Sequence, residues 1–458
     1  MNAAPSRRQF LLSSAAAGIG LGALGLPCAR AVSPNGKLRV LSIGVIGTIG
    51  ATDRHQVAGH PQVEIAGLCD IDANALAQAS REHPGAFTCR DYREAFAQHA
   101  DQFDAVIVSV PDHSHAPILL TAMAHDKHVY GQKPLVHQLE ELAMVEQAIK
   151  AKPDLVTQLG NQRMAHPARR AAVEILRQGL LGKAVEAYAW TGAPAPNDSF
   201  FNVARVVKPD SAPPAHLDWN LWLGPCPVIP YRELIAPVRW RSYWEYSSNG
   251  LGDWGCHMLD VIFFGYDELV TPFSVRTDCA EPSTPVFHTS PCKATMTYAV
   301  NSDKFTGKTF PIHYYDTSQR PTLEQMRLTT DPGEGMLTVV VCEGSTLTLG
   351  PEGPVKVWRD GKMENGLRMP GLPPQFPPLN HWHAWVDNCL GKKTELRVPF
   401  KDAVRITEAT LLGVKASRYP GQELLWDKAK LAFTNHAEAT NTIVRRAYRD
   451  GFAPPKVG

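Results

Sequence analysis

Unbroken apolar runs alternate with helical stretches along the first third of the chain. "LRVLSIGVIG" (38–47), "VEIAGLCDID" (63–72), "FDAVIVSVPD" (103–112) and "HVYGQKP" (128–134) are the runs. Such continuity is what a strand buried on both faces requires. Between them, "ANALAQASREH" and "APILLTAMAHD" read as helices. Repeated strand–helix units predict a parallel sheet, wound right-handedly, that binds ligands at the carboxyl ends of its strands. This Rossmann-type domain is expected over 36–155.

From about residue 156 the period changes. The helix "ARRAAVEILRQGL" is followed by "AVEAYAW", "FSVRTDC", "KATMTYAV", "KTFPIHYYD" and "GMLTVVVCEGSTLTLG". Period-two alternation over several runs predicts an open, mostly antiparallel sheet with one face covered. "HWHAWVDNCL" and "AVRITEATLLGVKASRY" read as closing helices, and "KPDSAPPAHLD" and "GLPPQFPPLN" as irregular loops. The expected class is α/β: a Rossmann domain, a C-terminal α/β domain over 156–435, and an extension over 436–458.

The start of the chain fits neither pattern. Arg7 and Arg8 precede Phe10, Leu11, a small apolar run and Ala29-Arg30-Ala31. This predicts a twin-arginine signal peptide over 1–31, and therefore a periplasmic or secreted protein delivered already folded. The run is too short and glycine-rich for a membrane span. Pro27 disfavours a lipid anchor at Cys28.

The 458 residues, less the signal, exceed one ordinary core, in keeping with two domains. Lys+Arg 46 against Asp+Glu 45 argues against nucleic acid or an anionic membrane as the main partner. The cysteines show no CxxC or zinc-ribbon spacing, so no metal site is expected from them. Folding before export predicts that they remain thiols.

Chemistry concentrates at the strand ends. In "GVIGTIGATDRH" a dinucleotide fold wants Gly-x-Gly-x-x-Gly, and Gly47-Thr48-Ile49-Gly50 misses that pattern by one position. Its placement after a strand and before a helix still makes it the phosphate-loop candidate. Asp70 ends the second strand, where an acid can bond a ribose 2′-hydroxyl and repel a 2′-phosphate, favouring NAD over NADP. A turn or cap role for Asp70 is the alternative. Pro111 and His115 of "VPDHSHAP" are placed beside the cofactor groove. Gln132 and Lys133 of "YGQKPLVH" sit on a proline-stiffened turn, although a lysine alone is as readily a surface residue.

"SNGLGDWGCHMLD" (248–260) is expected as a glycine-rich loop, Asn249–Gly252, running into a helix. Asp253 and His257, four apart, share a face of that helix, and Asp253 falls in its first turn. Three readings arise: a core histidine held by Asp253 or Asp260, an acid–histidine catalytic pair, or a metal site of His257, Asp253 or Asp260 with the distant His381 and His383; the last matches no compact ligand spacing, so no metal is expected. Asn161, Gln162 and Arg163, at a strand end, and Arg241, Tyr243 and Trp244, before the helix, are the candidate substrate contacts.

Taken in order, "GVIGTIG", the acid in "LCDID", "VPDHSHAP", "GQKP" and "GDWGCHMLD" resemble the Gfo/Idh/MocA oxidoreductase family. The resemblance implies NAD(P), a carbohydrate or polyol substrate and a homo-oligomer formed through the open sheet. It makes Lys133 the lysine that orients the substrate hydroxyl and His257 the general base, with Asp253 positioning substrate or tuning His257. Export favours tightly held NAD that is reset in each turnover, and redox-neutral glycosidases in branches of the family keep glycoside cleavage open, as epimerisation also stays open. Gln132 replaces the usual glutamate and Ile49 a usual glycine, which also leaves open a non-catalytic carbohydrate-binding protein on this fold.

Overall fold

In a computed structural model the described residues are 36–191, 207–364 and 376–458, apart from positions 234, 237–238, 283, 317–318 and 334. The signal expected over 1–31 lies outside them, as does part of "GLPPQFPPLN". Among the described residues no helix is long and apolar enough to cross a membrane.

The apolar runs of the first third become β1 (Leu38–Ile43), β2 (Val63–Cys69), β4 (Ala105–Val108) and β5 (His128–Gly131). Every residue of β4 and β5 is buried, because helices cover both faces. Two short strands, β3 (Phe87–Cys89) and β6 (Thr157–Leu159), complete a six-stranded parallel sheet of order β3-β2-β1-β4-β5-β6. The crossover helices are α1 (Gly50–Ala58), α2 (Ala73–Glu82), α3 (Tyr92–His99), α4 (His115–Ala124) and α5 (Leu139–Ala151). Asp72 and Asp91 cap α2 and α3 by accepting first-turn N–H groups. Strands β1 and β4 lead to opposite edges of the sheet, so a crevice opens between their carboxyl ends.

After α6 (Pro167–Arg177), strands β7 (Ala184–Trp190), β10 (Ser274–Cys279), β11 (Cys292–Ala299), β12 (Thr309–Tyr315), β13 (Leu337–Cys342), β14 (Ser345–Leu349), β15 (Lys356–Arg359), β16 (Lys362–Met363), β17 (Glu423–Asp427) and β18 (Ala432–Phe433) build a ten-stranded mixed sheet. Its order is β16-β15-β14-β13-β7-β12-β11-β10-β17-β18. Only the β7–β12 pair is parallel. Cys292, Ala294, Met296 and Tyr298 of β11 are buried, whereas Lys293, Thr295 and Thr297 face outward, as the alternation predicts. The spacer 208–218 is not wholly irregular: Asp210–Ser211 (β8) pairs with Tyr231–Arg232 (β9), and α7 (Trp219–Leu223) follows.

The expected glycine loop before Asp253 is helical. α8 runs from Asn249 to Gly265, and Gly252 N–H already bonds Ser248 O. Packing overrides the poor helix propensity of glycine here. A Cβ on Gly255 would lie 2.6 Å from Thr410 of α10 (Phe400–Ala416), so the glycine lets the two helices close together. Asp253 is therefore beyond the first turn, and the helix-end stabilisation expected for it does not apply.

Two later segments return to the first sheet. α9 (His381–Cys389) inserts Trp385 and Val386 into the cluster that holds Val40, Ile65 and Ile107. The extension, beginning with α11 (Ala437–Ile443), sends Arg446 into a buried pair with Glu141 of α5.

Candidate active site at the nucleotide crevice

A cavity of about 400 Å³ fills the crevice at the ends of β1, β2 and β4. The chain can turn there because Gly44 takes φ +79° with the Ser109 carbonyl where a Cβ would be, 2.2 Å away. A Cβ on Gly50 would lie 2.3 Å from Gly44 O, so Gly50 is the position that seats α1 against β1. Gly47, at φ +77°, has open space beyond it. Gly47, Thr48 and Ile49 line the cavity, and Gly50 does not. Ile49 is the N-cap of α1 and supplies no side-chain cap, which leaves first-turn amides for a ligand.

Asp70 lines the same cavity. Its carboxylate accepts Val45 N–H at 2.9 Å and Asp72 N–H at 3.0 Å, and burial pushes its pKa up. Pro111 is also on the wall. His115 is not: its Nδ1 lies 2.7 Å from Pro134 O and its Nε2 2.8 Å from Val110 O, so it ties two loops together. Gln132 is likewise off the wall. Its Nε2 donates to the buried Asp53 carboxylate at 2.8 Å, which Ser109 Oγ and Trp382 Nε1 also reach. Burial pushes Asp53 up to about 6 against those three donors.

A strap from the second domain covers the cavity. Asp218 N–H donates to Ile71 O and Ala73 N–H to His216 O, and Arg90 reaches both of those carbonyls. His216 also meets Asp72 at 3.0 Å. The strap brings Leu217, Leu221, Trp222 and Trp240 over the cavity, and the C-terminal extension adds Phe452. Sequence reasoning missed all of these. The one trace of Leu221 and Trp222 was the tryptophan-rich "DWNLWLG" after the proline spacer.

At the far end of the cavity Arg241 leads to the charged residues. Its Nε lies 3.7 Å from Asp253 Oδ1, and Lys133 Nζ donates to the same oxygen at 2.9 Å and to Asp253 O at 2.8 Å. Burial alone would raise Asp253; Lys133 and Arg241 outweigh it and hold the carboxyl below its usual range. His257, one turn on, is 4% exposed, and its Nδ1 has no hydrogen-bond partner. Burial, then Lys133, Arg163 and Arg169, push its pKa well below that of free histidine. The imidazole is thus neutral, and its electrostatic neighbours are cations rather than a bonded carboxylate. Asp260 is committed elsewhere, in a fully buried ion pair with Arg169 and a bond from Asn161 Nδ2 at 3.1 Å. His381 and His383 face Leu159 O and Gln56 O.

The loop "VPDHSHAP" positions α8. Asp112 accepts Ser248 N–H at 3.0 Å, His113 N–H donates to Tyr246 O, and His137 Nε2 lies 2.9 Å from Ser247 O. Of the expected substrate contacts, Arg241 lines the cavity. Arg163 sits 4.9 Å over the Trp254 ring and 3.4 Å from Glu352. Asn161 is fully buried against α8, with Oδ1 unpartnered, and Gln162 begins the short 3-10 turn beside it. Tyr243 packs on Phe287, and Trp244 packs between His288 and Arg418, so these two rings serve the core.

A doubly wound sheet with a glycine turn, an acid ending β2 and a covered crevice defines a dinucleotide-binding protein. The chain belongs to the Gfo/Idh/MocA oxidoreductase family: residues 38–158 match its NAD-binding Rossmann fold and residues 169–303 its C-terminal alpha/beta domain. It is 27% identical over 153 residues to an inositol 2-dehydrogenase of Rubrobacter xylanophilus, covering 33% of this chain and 43% of that protein. It is 30% identical over 203 residues to a glycosyl hydrolase family 109 protein of Saccharopolyspora erythraea, covering 39% and 44%. The match therefore spans less than half the length of these relatives. Among solved structures, the WlbA dehydrogenase of Bordetella pertussis, in complex with NADH and UDP-GlcNAcA, shares the fold with a TM-score of 0.59 at 15% identity, over 85% of this chain and 99% of that one.

Proposed function

We propose that this protein is an NAD-dependent oxidoreductase acting on a hydroxyl of a carbohydrate or polyol, with its nucleotide tightly held. The carrying observation is that Arg241, on the wall of the dinucleotide cavity, lies 3.7 Å from Asp253, which pairs Lys133 one helical turn before a neutral His257. The cavity fits the cofactor: open space above Gly47, free first-turn amides of α1 and the Asp70 carboxylate are what a pyrophosphate and a ribose need. Asp70 at the ribose position favours NAD over NADP by charge. Bound there, the dinucleotide supplies a hydride acceptor.

The chain's own groups supply proton transfer and orientation. His257, held neutral, accepts the proton of the substrate hydroxyl. Lys133 donates to that oxygen and stabilises the charge developing on it. Asp253 keeps the lysine in place between itself and the crevice and stays ionised to do so. Arg241 offers a second cation at the cavity wall.

The strap supports retention of the nucleotide, since it adds Leu217 and Trp222 to the cavity wall beside Trp240. Retention suits an exported enzyme with no continuing supply of free cofactor, in which oxidation and reduction alternate in one site. A second reading, redox-neutral cleavage of a glycoside through a transient ketone, is favoured by the glycosyl hydrolase family 109 relatives.

Mixing the native protein with sugars, polyols and chromogenic glycosides, while following reduced-nicotinamide fluorescence, tests the reading. A matching sugar or polyol is expected to switch the emission on without added cofactor. Release of chromophore with no lasting emission selects the redox-neutral reading. Silence across both sets with nucleotide demonstrably bound contradicts the proposed substrate class.

A further inference from the structure

Cys279 ends β10 and Cys292 begins β11, and the two are directly opposed across the antiparallel pair. The neighbouring pair, Ala280 and Pro291, is of the hydrogen-bonded type, with Ala280 N–H donating to Pro291 O. Along an antiparallel ladder the types alternate, so Cys279 and Cys292 form a non-hydrogen-bonded pair, the one whose side chains approach most closely. Their sulfurs lie 2.6 Å apart, closer than two separate thiols pack. Cys279 is partly exposed and Cys292 is buried, so Cys279 is the more accessible of the two.

We propose that Cys279 and Cys292 are an oxidation site that closes to a cross-strand disulfide. The co-reactant is a disulfide oxidant, either a protein or a small-molecule disulfide. The Cys279 thiolate attacks one sulfur of the oxidant, forming a mixed disulfide and releasing one thiolate. The Cys292 thiolate then attacks the Cys279 sulfur, releasing the second. Two cysteine thiols thus lose two electrons and two protons, and the oxidant becomes two thiols.

The bond would staple the base of the 280–291 loop, which holds the entrance to α8. His288 N–H donates to Ser242 O, Trp244 N–H to Val286 O, and Asn249 Nδ2 to Thr289 O. His288 Nε2 also lies 2.8 Å from Ser247 O. Oxidation therefore rigidifies the segment from which Asp253 and His257 project; in the structure itself both are free thiols, as expected for the cysteines.

Trypsin cleavage after Arg276 and Lys293 yields a peptide, 277–293, with Cys279 and Cys292 as its only cysteines. The full chain, incubated with oxidised glutathione, is quenched with iodoacetamide, unfolded in its presence and digested. The expected peptide carries no alkyl group and is two hydrogens lighter than the dithiol; reduction before alkylation gives two. Two alkyl groups without reduction, or a persistent glutathione adduct, would overturn the proposal. Thermal unfolding supplies a second reading. Reduction should lower the wild-type Tm by several degrees and leave Cys279→Ser unchanged. An equal response in both would also overturn it.

Discussion

Replacing His257 with alanine is expected to lower turnover by roughly three orders of magnitude, the contribution of a positioned general base, while the bound nucleotide is retained. The imidazole is off the cavity wall, so the nucleotide's contacts survive its loss. Burial and three cations keep it neutral, and its Nδ1 has no other commitment. The same cause sets the pH dependence. A base with a lowered pKa remains unprotonated as pH falls, so this group should leave the rate level through pH 6.5 and reduce it only well below. A profile losing half its rate near 6.5, or an alanine variant with near wild-type turnover, would remove His257 as the base.

Gln132→Glu should destabilise the protein by about 3–5 kcal/mol near pH 8, the scale of an uncompensated buried charge. The wild-type amide donates to Asp53 Oδ2 at 2.8 Å. A carboxylate in its place would lose that bond and set two negative charges together in a buried site. Asp53 is already held up to about 6 by burial. The second acid raises the pair further, so the folded state binds more protons than the unfolded state between the usual carboxylate range and the raised value. Stability of the variant should therefore recover as pH falls through that raised value. Combining it with Asp53→Asn should restore most of the loss. Denaturant unfolding at pH 8 and pH 5.5 checks both statements, and a variant as stable as wild type at pH 8 would contradict them. The glutamine that looked like a defect in a cofactor motif is thus the natural partner of an acid on α1.

The first sheet was legible because short, mostly apolar runs in β1, β2, β4 and β5 alternate with helical stretches, as strands of a covered parallel sheet do. The second was legible from alternation, as in β11. Asp253 and His257 were found because residues four apart share a helix face, and Lys133 because its turn ends β5. What sequence could not supply was pairing across distance. His115 looked like a groove residue until its two ring nitrogens met Pro134 O and Val110 O. Tyr243 and Trp244 looked available to a sugar, but Phe287 and Arg418 take their faces. The strap was hidden because a proline-rich spacer has no periodicity. Its function rests on contacts such as Arg90 with His216 O, 126 residues apart in sequence. The start of α8 was misplaced because Gly250 and Gly252 argue for a loop until Ser248 is seen packed against Gly252.

The central claim is a nucleotide held under that strap. The most direct measurement is the absorbance spectrum of the natively purified, desalted protein, followed by denaturation and mass spectrometry of whatever is released. The account predicts about one NAD or NADH per chain and no NADP. Protein that releases no nucleotide and fails to bind added NAD would contradict it.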